Sequence, residues 1–309
     1  MKTVWLFPGQ GSQKVGMGKD LFDSSPAARE VYERADEALG YSISKMCFEG
    51  PDDDLTLTAN TQPAILTTSI AALATLREKR PELPLPIFAA GHSLGEYSAL
   101  VAAGAMTLEQ AVKLVHLRGK AMQDAVPPGD GAMAAVMGGT PESVQALCDD
   151  AREDSVLSPA NFNAPGQIVI AGSAAAVGRA QALAGDRKMK AIPLKVSAPF
   201  HCALMEPAAR AVETALESVS FGEMSFPVVA NVDATPNADA SRVADLLVRQ
   251  VDNPVRWTDS VLAMVNGGAE AALEIGTGRV LAGLIRKIHK ELSVQGVGDP
   301  AAVEALKGS

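Results

Sequence analysis

The tightest constraint in this chain is Gly91-His92-Ser93-Leu94-Gly95, set between the apolar run 87–90 and the Ala-rich stretch 96–106. A buried strand must end there, the chain must reverse within a few residues, and a helix must begin. Small residues on either side let a serine occupy such a strained turn with its hydroxyl exposed, which is the nucleophile-elbow arrangement. The free backbone N–H groups of the following helix, that of Leu94 first, then point to where an oxyanion would form during attack on an acyl carbonyl. Ser93 is therefore the candidate nucleophile.

Other segments are read around that turn. Residues 3–7 read as a short buried strand running into Pro8-Gly9-Gln10-Gly11-Ser12-Gln13, a loop whose glycines allow close approach. Helical patterns are expected at 27–39, at 62–79 with Pro63 in its first turn, and at 108–122, with an acidic turn at 51–54. From 131 to 196 the order changes to strand (132–137), helix (141–151), strands (156–162 and 167–171), helix (174–183) and strand (189–196). This βαββαβ order is that of a ferredoxin-like module. Afterwards come helices near 204–217, 242–250 and 257–266 and strands at 228–231 and 272–275. The expected fold class is α/β: a large α/β-hydrolase-like domain with a parallel sheet (1–128 and 199–309), carrying an inserted small ferredoxin-like subdomain (129–198).

A serine is inert until a base takes its proton, and the chain offers four histidines, His92, His116, His201 and His289. His92 neighbours Ser93, where adjacent side chains diverge. His116 falls on the charged face of the 108–122 helix with Glu109, Lys113 and Lys120, and His289 sits among Arg286, Lys287 and Lys290. His201 follows a strand and the loop Ser197-Ala198-Pro199-Phe200, where a strand edge presents a side chain to a cleft; it is the candidate base. At ~100° per residue, Arg118 points to the middle of the apolar face made by Ala111, Leu114, Val115 and Met122. A guanidinium there must meet either a protein carboxylate or a ligand anion. Beside a serine nucleophile, a forked donor aimed inward suits a substrate that carries its own carboxylate.

Taken together, the chain resembles the malonyl-CoA:acyl carrier protein transacylases and the acyltransferase domains of polyketide synthases. The resemblance runs nearly end to end through Phe7-Pro8-Gly9-Gln10-Gly11-Ser12-Gln13, Thr61-Gln62-Pro63-Ala64, Gly91-His92-Ser93-Leu94-Gly95-Glu96, Arg118-Gly119, Asn161-Phe162-Asn163, Pro199-Phe200-His201, and Gln250 with Asn253-Pro254-Val255. It implies a ping-pong transfer of malonyl from malonyl-CoA through a malonyl ester of Ser93 to the phosphopantetheine thiol of acyl carrier protein, in fatty acid biosynthesis. His201 would serve as base, oriented by the main-chain carbonyl of Gln250. It further implies an oxyanion hole from the N–H groups of Gln10 and Leu94, a malonyl carboxylate clamp at Arg118, and an acyl pocket lined by Gln62, Met122, Asn161 and Phe200. Where Gly276-Thr277-Gly278 stands, the family more often has a proline between the glycines.

Charge limits the partners. Lys and Arg total 27 against 36 Asp and Glu, a net charge of -9, which argues against a nucleic acid backbone as main partner. Docking to an acidic carrier protein therefore needs a local basic patch, for which Arg187, Lys188 and Lys190 or Arg286, Lys287 and Lys290 are candidates. The three cysteines are scattered, and no run of about 20 apolar residues appears, so a cytoplasmic protein without membrane contact is expected; a monomer is expected as well, on no particular sequence feature. No metal, nucleotide or flavin site is evident, and no cofactor is expected beyond the thioester substrates. Rival readings are a serine esterase or thioesterase, a non-catalytic binding module, and the same transfer serving a polyketide synthase or a malonate decarboxylase.

Overall fold

A computed structural model describes residues 1–306. Among them the strands are β1 (Thr3–Phe7), β2 (Phe88–Gly91), β3 (Gly131–Met137), β4 (Leu157–Ala164), β5 (Gln167–Ser173), β6 (Lys190–Pro193), β7 (Val228–Val229), β8 (Pro236–Asn237), β9 (Ala271–Ile275) and β10 (Ser293–Val297). They form two sheets. The larger has the order β10-β9-β1-β2-β7-β8 and is parallel except for β8, which pairs antiparallel with β7. The smaller is antiparallel, with the order β4-β5-β3-β6 expected of a βαββαβ module.

The continuous apolar run of β1 is explained by burial on both faces. Trp5 and Phe7 enter one core with the long helix Thr58–Lys79, while Val4 and Leu6 enter a second with Trp257, Val261 and Leu281. In the small sheet the faces differ. Ala134, Val136, Ile168 and Ile170 pack under the helices Pro141–Arg152 and Ala174–Ala184, whereas Met133, Val169 and Ala171 join the main core. The helix-free face is thereby turned toward the larger sheet. An isolated bridge ties Asn161 of β4 to Val255, which packs in the second core with Val4 and Leu6, and the Phe162 N–H donates to the Val255 carbonyl at 2.9 Å.

Several expected boundaries are corrected. The helix expected from residue 62 begins at Thr58, so Pro63 lies inside it. Lacking an N–H, Pro63 leaves the Ala59 carbonyl without its helical donor, and His116 Nδ1 donates to that oxygen at 2.9 Å. His116 is accordingly held at a helix contact and is not merely part of a solvated face. Residues Asp52–Thr56 form a short helix where an acidic turn was expected, three aspartates suiting its first turn. The helix after the elbow spans Gly95–Ala103 and stops at Gly104 (φ 88°), short of residue 106. β6 is half the length expected, and β7 ends at Val229, which frees Asn231 for the elbow. The helix Val280–Ile288 and strand β10 carry no expectation from the sequence reading; the helix is strongly amphipathic but follows directly on a Gly-rich loop.

Replacing Pro63 by alanine should stabilise the protein more in a His116→Ala background than in the wild type, by about 1 kcal/mol, because only there does the new N–H find a vacant carbonyl. Denaturant midpoints of the four proteins measure this; strictly additive effects would exclude the shared acceptor.

Candidate active site

β2 is an inner strand, and its C-terminal end delivers Ser93 into a turn with φ 51°, a left-handed conformation that costs a non-glycine residue energy. The flanking glycines are required by contact. A Cβ on Gly91 would lie 1.9 Å from the Gly95 backbone, and one on Gly95 would lie 2.2 Å from the Phe7 carbonyl oxygen. Asn231 braces the turn from both sides: its Oδ1 accepts from the Ser93 N–H at 2.7 Å and its Nδ2 donates to the Gly91 carbonyl at 2.8 Å.

His201 also has a positive φ, 60°, and is buried. Its Nε2 stands 2.8 Å from Ser93 Oγ, and its Nδ1 stands 2.9 Å from the main-chain oxygen of Gln250. A carbonyl only accepts, so Nδ1 carries the hydrogen and Nε2 is left as an acceptor for the serine hydroxyl. Burial first, and the positive charge of Arg118 second, lower His201 from 6.5 to about 3. The imidazole is therefore neutral at neutral pH, with Nε2 free of a proton.

Arg118, 1% exposed, lies on the helix Leu108–Asp124 as its periodicity requires. Its Nη1 donates to Gln62 Oε1 at 2.8 Å, and its Nη2 donates to Gln250 Oε1 at 2.9 Å and to Ser93 Oγ at 3.1 Å. Its Cζ lies over the Tyr97 ring, 5.5 Å from the centroid. Among the described residues no carboxylate reaches it within ion-pair distance, and its Nε has no partner. Of the two possibilities the sequence left open, the direct internal salt bridge is absent. All three partners are neutral.

These groups open on a cavity of about 700 Å³ between the sheets. Gln10, Gln62, Ser93, Arg118, Met122, Asn161, Phe200 and His201 all line it, and Val280, Leu281 and Leu284 of the unexpected helix add an apolar wall. Leu94 buries its side chain beneath the elbow, and neither its N–H nor that of Gln10 donates to another group among the described residues. Met122 Sδ takes a weak hydrogen bond from Gln62 Nε2 at 3.7 Å, so these two expected pocket residues support each other. Gln250 contributes its carbonyl, but it also contributes a side chain that the sequence reading did not use.

The remaining histidines have other duties. His92 is half-buried and its Nε2 pairs with Asn163 Oδ1 at 2.8 Å, tying the elbow to the small sheet, and His289 lies 3.5 Å from Glu291. Of the two basic patches, Arg187 is bonded to Asp150, while Lys287 Nζ donates at 2.8 Å to Gln167, a residue of the cavity rim. Sequence reasoning missed Asn231 and Glu96. The second carried a signal, being the one charged residue of the helix Gly95–Ala103. Burial raises Glu96 from 4.5 to about 7, with hydrogen bonds from Asn231 and Gln250 and the charge of Arg118 opposing the rise. Among the described residues no cluster of three or more His, Cys, Asp or Glu is arranged to hold a metal, and no helix is long and apolar enough to cross a membrane.

The depressed His201 value has a consequence for stability. Between pH 6.5 and about 3 the unfolded chain takes up a proton at this position that the folded chain does not, so folding stability is present above 6.5 and drains as pH falls through that window. His201→Gln should make the acid decline shallower by up to about 1.4 kcal/mol per pH unit within it. Denaturant titrations at stepped pH read this directly; parallel curves for the two proteins would contradict a depressed imidazole.

The acyl transferase domain family matches residues 4–306. The chain is 44% identical over 305 residues to the malonyl CoA-acyl carrier protein transacylase of Bacillus subtilis (strain 168), covering 98% of this chain and 95% of the relative. It is 45% identical over 305 residues to the enzyme of the same name from Escherichia coli (strain K12), covering 98% and 97%. Among solved structures, an acyl carrier protein S-malonyltransferase from Vibrio cholerae superposes with a TM-score of 0.96 at 44% identity, covering 99% of this chain and all of that one (100%). The malonyl-transacylase PlMCAT, solved in complex with the holo type II PKS acyl-carrier protein AntF, superposes with a TM-score of 0.95 at 44% identity, covering 98% of each chain. With a family match across nearly its whole length and relatives this similar, the chain belongs to the acyl transferase domain family.

Proposed function

We propose that this protein transfers the malonyl group of malonyl-CoA to the phosphopantetheine thiol of an acyl carrier protein, in fatty acid biosynthesis. The observation that carries the reading is the buried guanidinium of Arg118, bonded among the described residues only to neutral groups, beside Ser93 and His201 on one cavity wall. A cation in that state favours an acyl chain that ends in a carboxylate. The names of the relatives, malonyl CoA-acyl carrier protein transacylase, and the PlMCAT–AntF complex support the same substrates and acceptor.

In this reading Ser93 Oγ attacks the thioester carbonyl while its proton passes to His201 Nε2. The negative oxygen of the tetrahedral intermediate is met by the backbone N–H groups of Gln10 and Leu94. The C–S bond then breaks, and the departing sulfur takes the proton from Nε2, leaving a malonyl ester on Ser93 and free CoA. The carrier thiol repeats the sequence in reverse, giving its proton to Nε2 and displacing Ser93. The neutral Gln250 carbonyl fixes the imidazole tautomer without stabilising imidazolium as strongly as a carboxylate would, which suits a base that must return its proton within each half-reaction. A malonyl carboxylate on Arg118 also offsets the positive charge that depresses His201, so the imidazole becomes a better base once substrate is in place. No cofactor enters these steps. Among the patches, the one containing Lys287 is favoured as the carrier contact because it borders the cavity.

A second reading keeps the chemistry and changes the carrier: the PlMCAT relative, as similar as the others, was solved with a type II PKS carrier. Offering holo carriers of both kinds separates the two. The main test is loading with labelled malonyl-CoA followed by peptide mass analysis. Label is expected on Ser93, is expected to be absent in Ser93→Ala, and should leave to holo carrier protein. Arg118→Ala should lose about 100-fold in kcat/KM for malonyl-CoA and far less for acetyl-CoA. Label that never reaches Ser93, or that departs only to water, would overturn the transferase reading in favour of a hydrolase.

A further inference from the structure

Gln250 occupies a position that its main-chain carbonyl alone does not explain. Its side-chain Oε1 accepts from Arg118 Nη2 at 2.9 Å, and its Nε2 donates to Glu96 Oε2 at 2.8 Å and to the Ser93 carbonyl at 2.9 Å. Glu96 Oε2 takes a second donor, the Asn231 N–H, at 3.0 Å. Glu96 and Gln250 are both buried, and neither Glu96 nor Asn231 lines the cavity. A buried cation and a buried carboxylate are thus separated by one neutral amide instead of being paired.

The two ends of a primary amide are alike in shape and opposite in hydrogen bonding. A guanidinium only donates, so the end facing Arg118 must be oxygen. At the other end, Glu96 Oε2 already faces two N–H donors and acts as an acceptor whether the acid is ionised or carries its proton on Oε1. Both hydrogens of Nε2 are then engaged, one on Ser93 and one on Glu96, and the amide has no freedom to turn. We infer that Glu96 is a positioning residue for acyl-group selection: by accepting from Gln250 it locks the amide that holds Arg118 on neutral acceptors, open to a carboxylated acyl chain. What matters is the acceptor at this position, and its charge is dispensable. Were Glu96 to reach Arg118 directly, it would occupy the guanidinium and compete with the substrate carboxylate.

The inference rests on the malonyl-transfer reading, and the experiment separates the two. Acylation of Ser93 is followed with malonyl-CoA and acetyl-CoA in the wild type and in Glu96→Gln, Glu96→Leu and Gln250→Met, with thermal melts in parallel. Glu96→Gln retains an oxygen acceptor and should keep the malonyl-to-acetyl ratio of kcat/KM within about threefold of wild type. Glu96→Leu removes the acceptor at similar volume and should lower that ratio by about 10-fold or more, chiefly through a higher KM for malonyl-CoA. Gln250→Met removes the amide itself, and with it the acceptor on Arg118 and the donor to Ser93, while keeping the carbonyl that orients His201; it should lower the ratio at least as much, and an unchanged ratio there overturns the inference even if Glu96→Leu does not fold. A ratio unchanged in Gln250→Met, or in a folded Glu96→Leu, would show a merely structural role and overturn the inference. A loss in Glu96→Gln as large as in Glu96→Leu would overturn it in favour of a charge effect. A wild type with no preference for malonyl-CoA would refute the transfer reading and the inference with it, before any variant is considered.

Discussion

A guanidinium withdrawn from water and given no carboxylate among the described residues is the interaction on which this site depends. Taking such a charge out of solvent is expensive, and here three neutral acceptors meet Nη1 and Nη2 while Nε is left without a partner among the described residues. They come from distant parts of the chain, at Gln62, Ser93 and Gln250, so holding Arg118 brings together the long helix, the elbow and the helix Val243–Asp252. The same placement tunes the chemistry. The positive charge adds to burial in keeping His201 neutral, and the hydroxyl of Ser93 receives a donor from one side while offering its proton to the other.

The fold supplies what that arrangement needs. A mostly parallel sheet covered on both faces ends in a turn too tight for any side chain at Gly91 or Gly95, and the strain at Ser93 is held by Asn231. The small antiparallel sheet keeps its helices on one face and turns the other toward the larger sheet, so the cavity forms between an elbow and an open sheet face. Residues that look unrelated in sequence, Asn163 with His92 and Val255 with Asn161, join the two walls.

Much of this was legible in the amino-acid order because local rules act over short spans. The strand–turn–helix around Ser93, the βαββαβ succession and the inward aim of Arg118 follow from period, turn chemistry and the size of glycine. Misplaced boundaries have equally local causes. Pro63 was expected to open a helix because proline suits a first turn, yet a histidine from another helix satisfies the carbonyl that proline leaves bare. The helix Val280–Ile288 went unread since its glycine-rich approach resembles a loop.

Within the chain order alone lie the candidate nucleophile, the one histidine of the four placed to reach it, and the fact that a cation must be buried on one helix face. Only the tertiary structure decided what that cation meets: amides and a hydroxyl, with Glu96 kept one residue away behind Gln250. The physical reason is reach. Periodicity reports which face of an element turns inward, whereas hydrogen-bond partners separated by 25 to 157 residues are set by how sheets and helices pack.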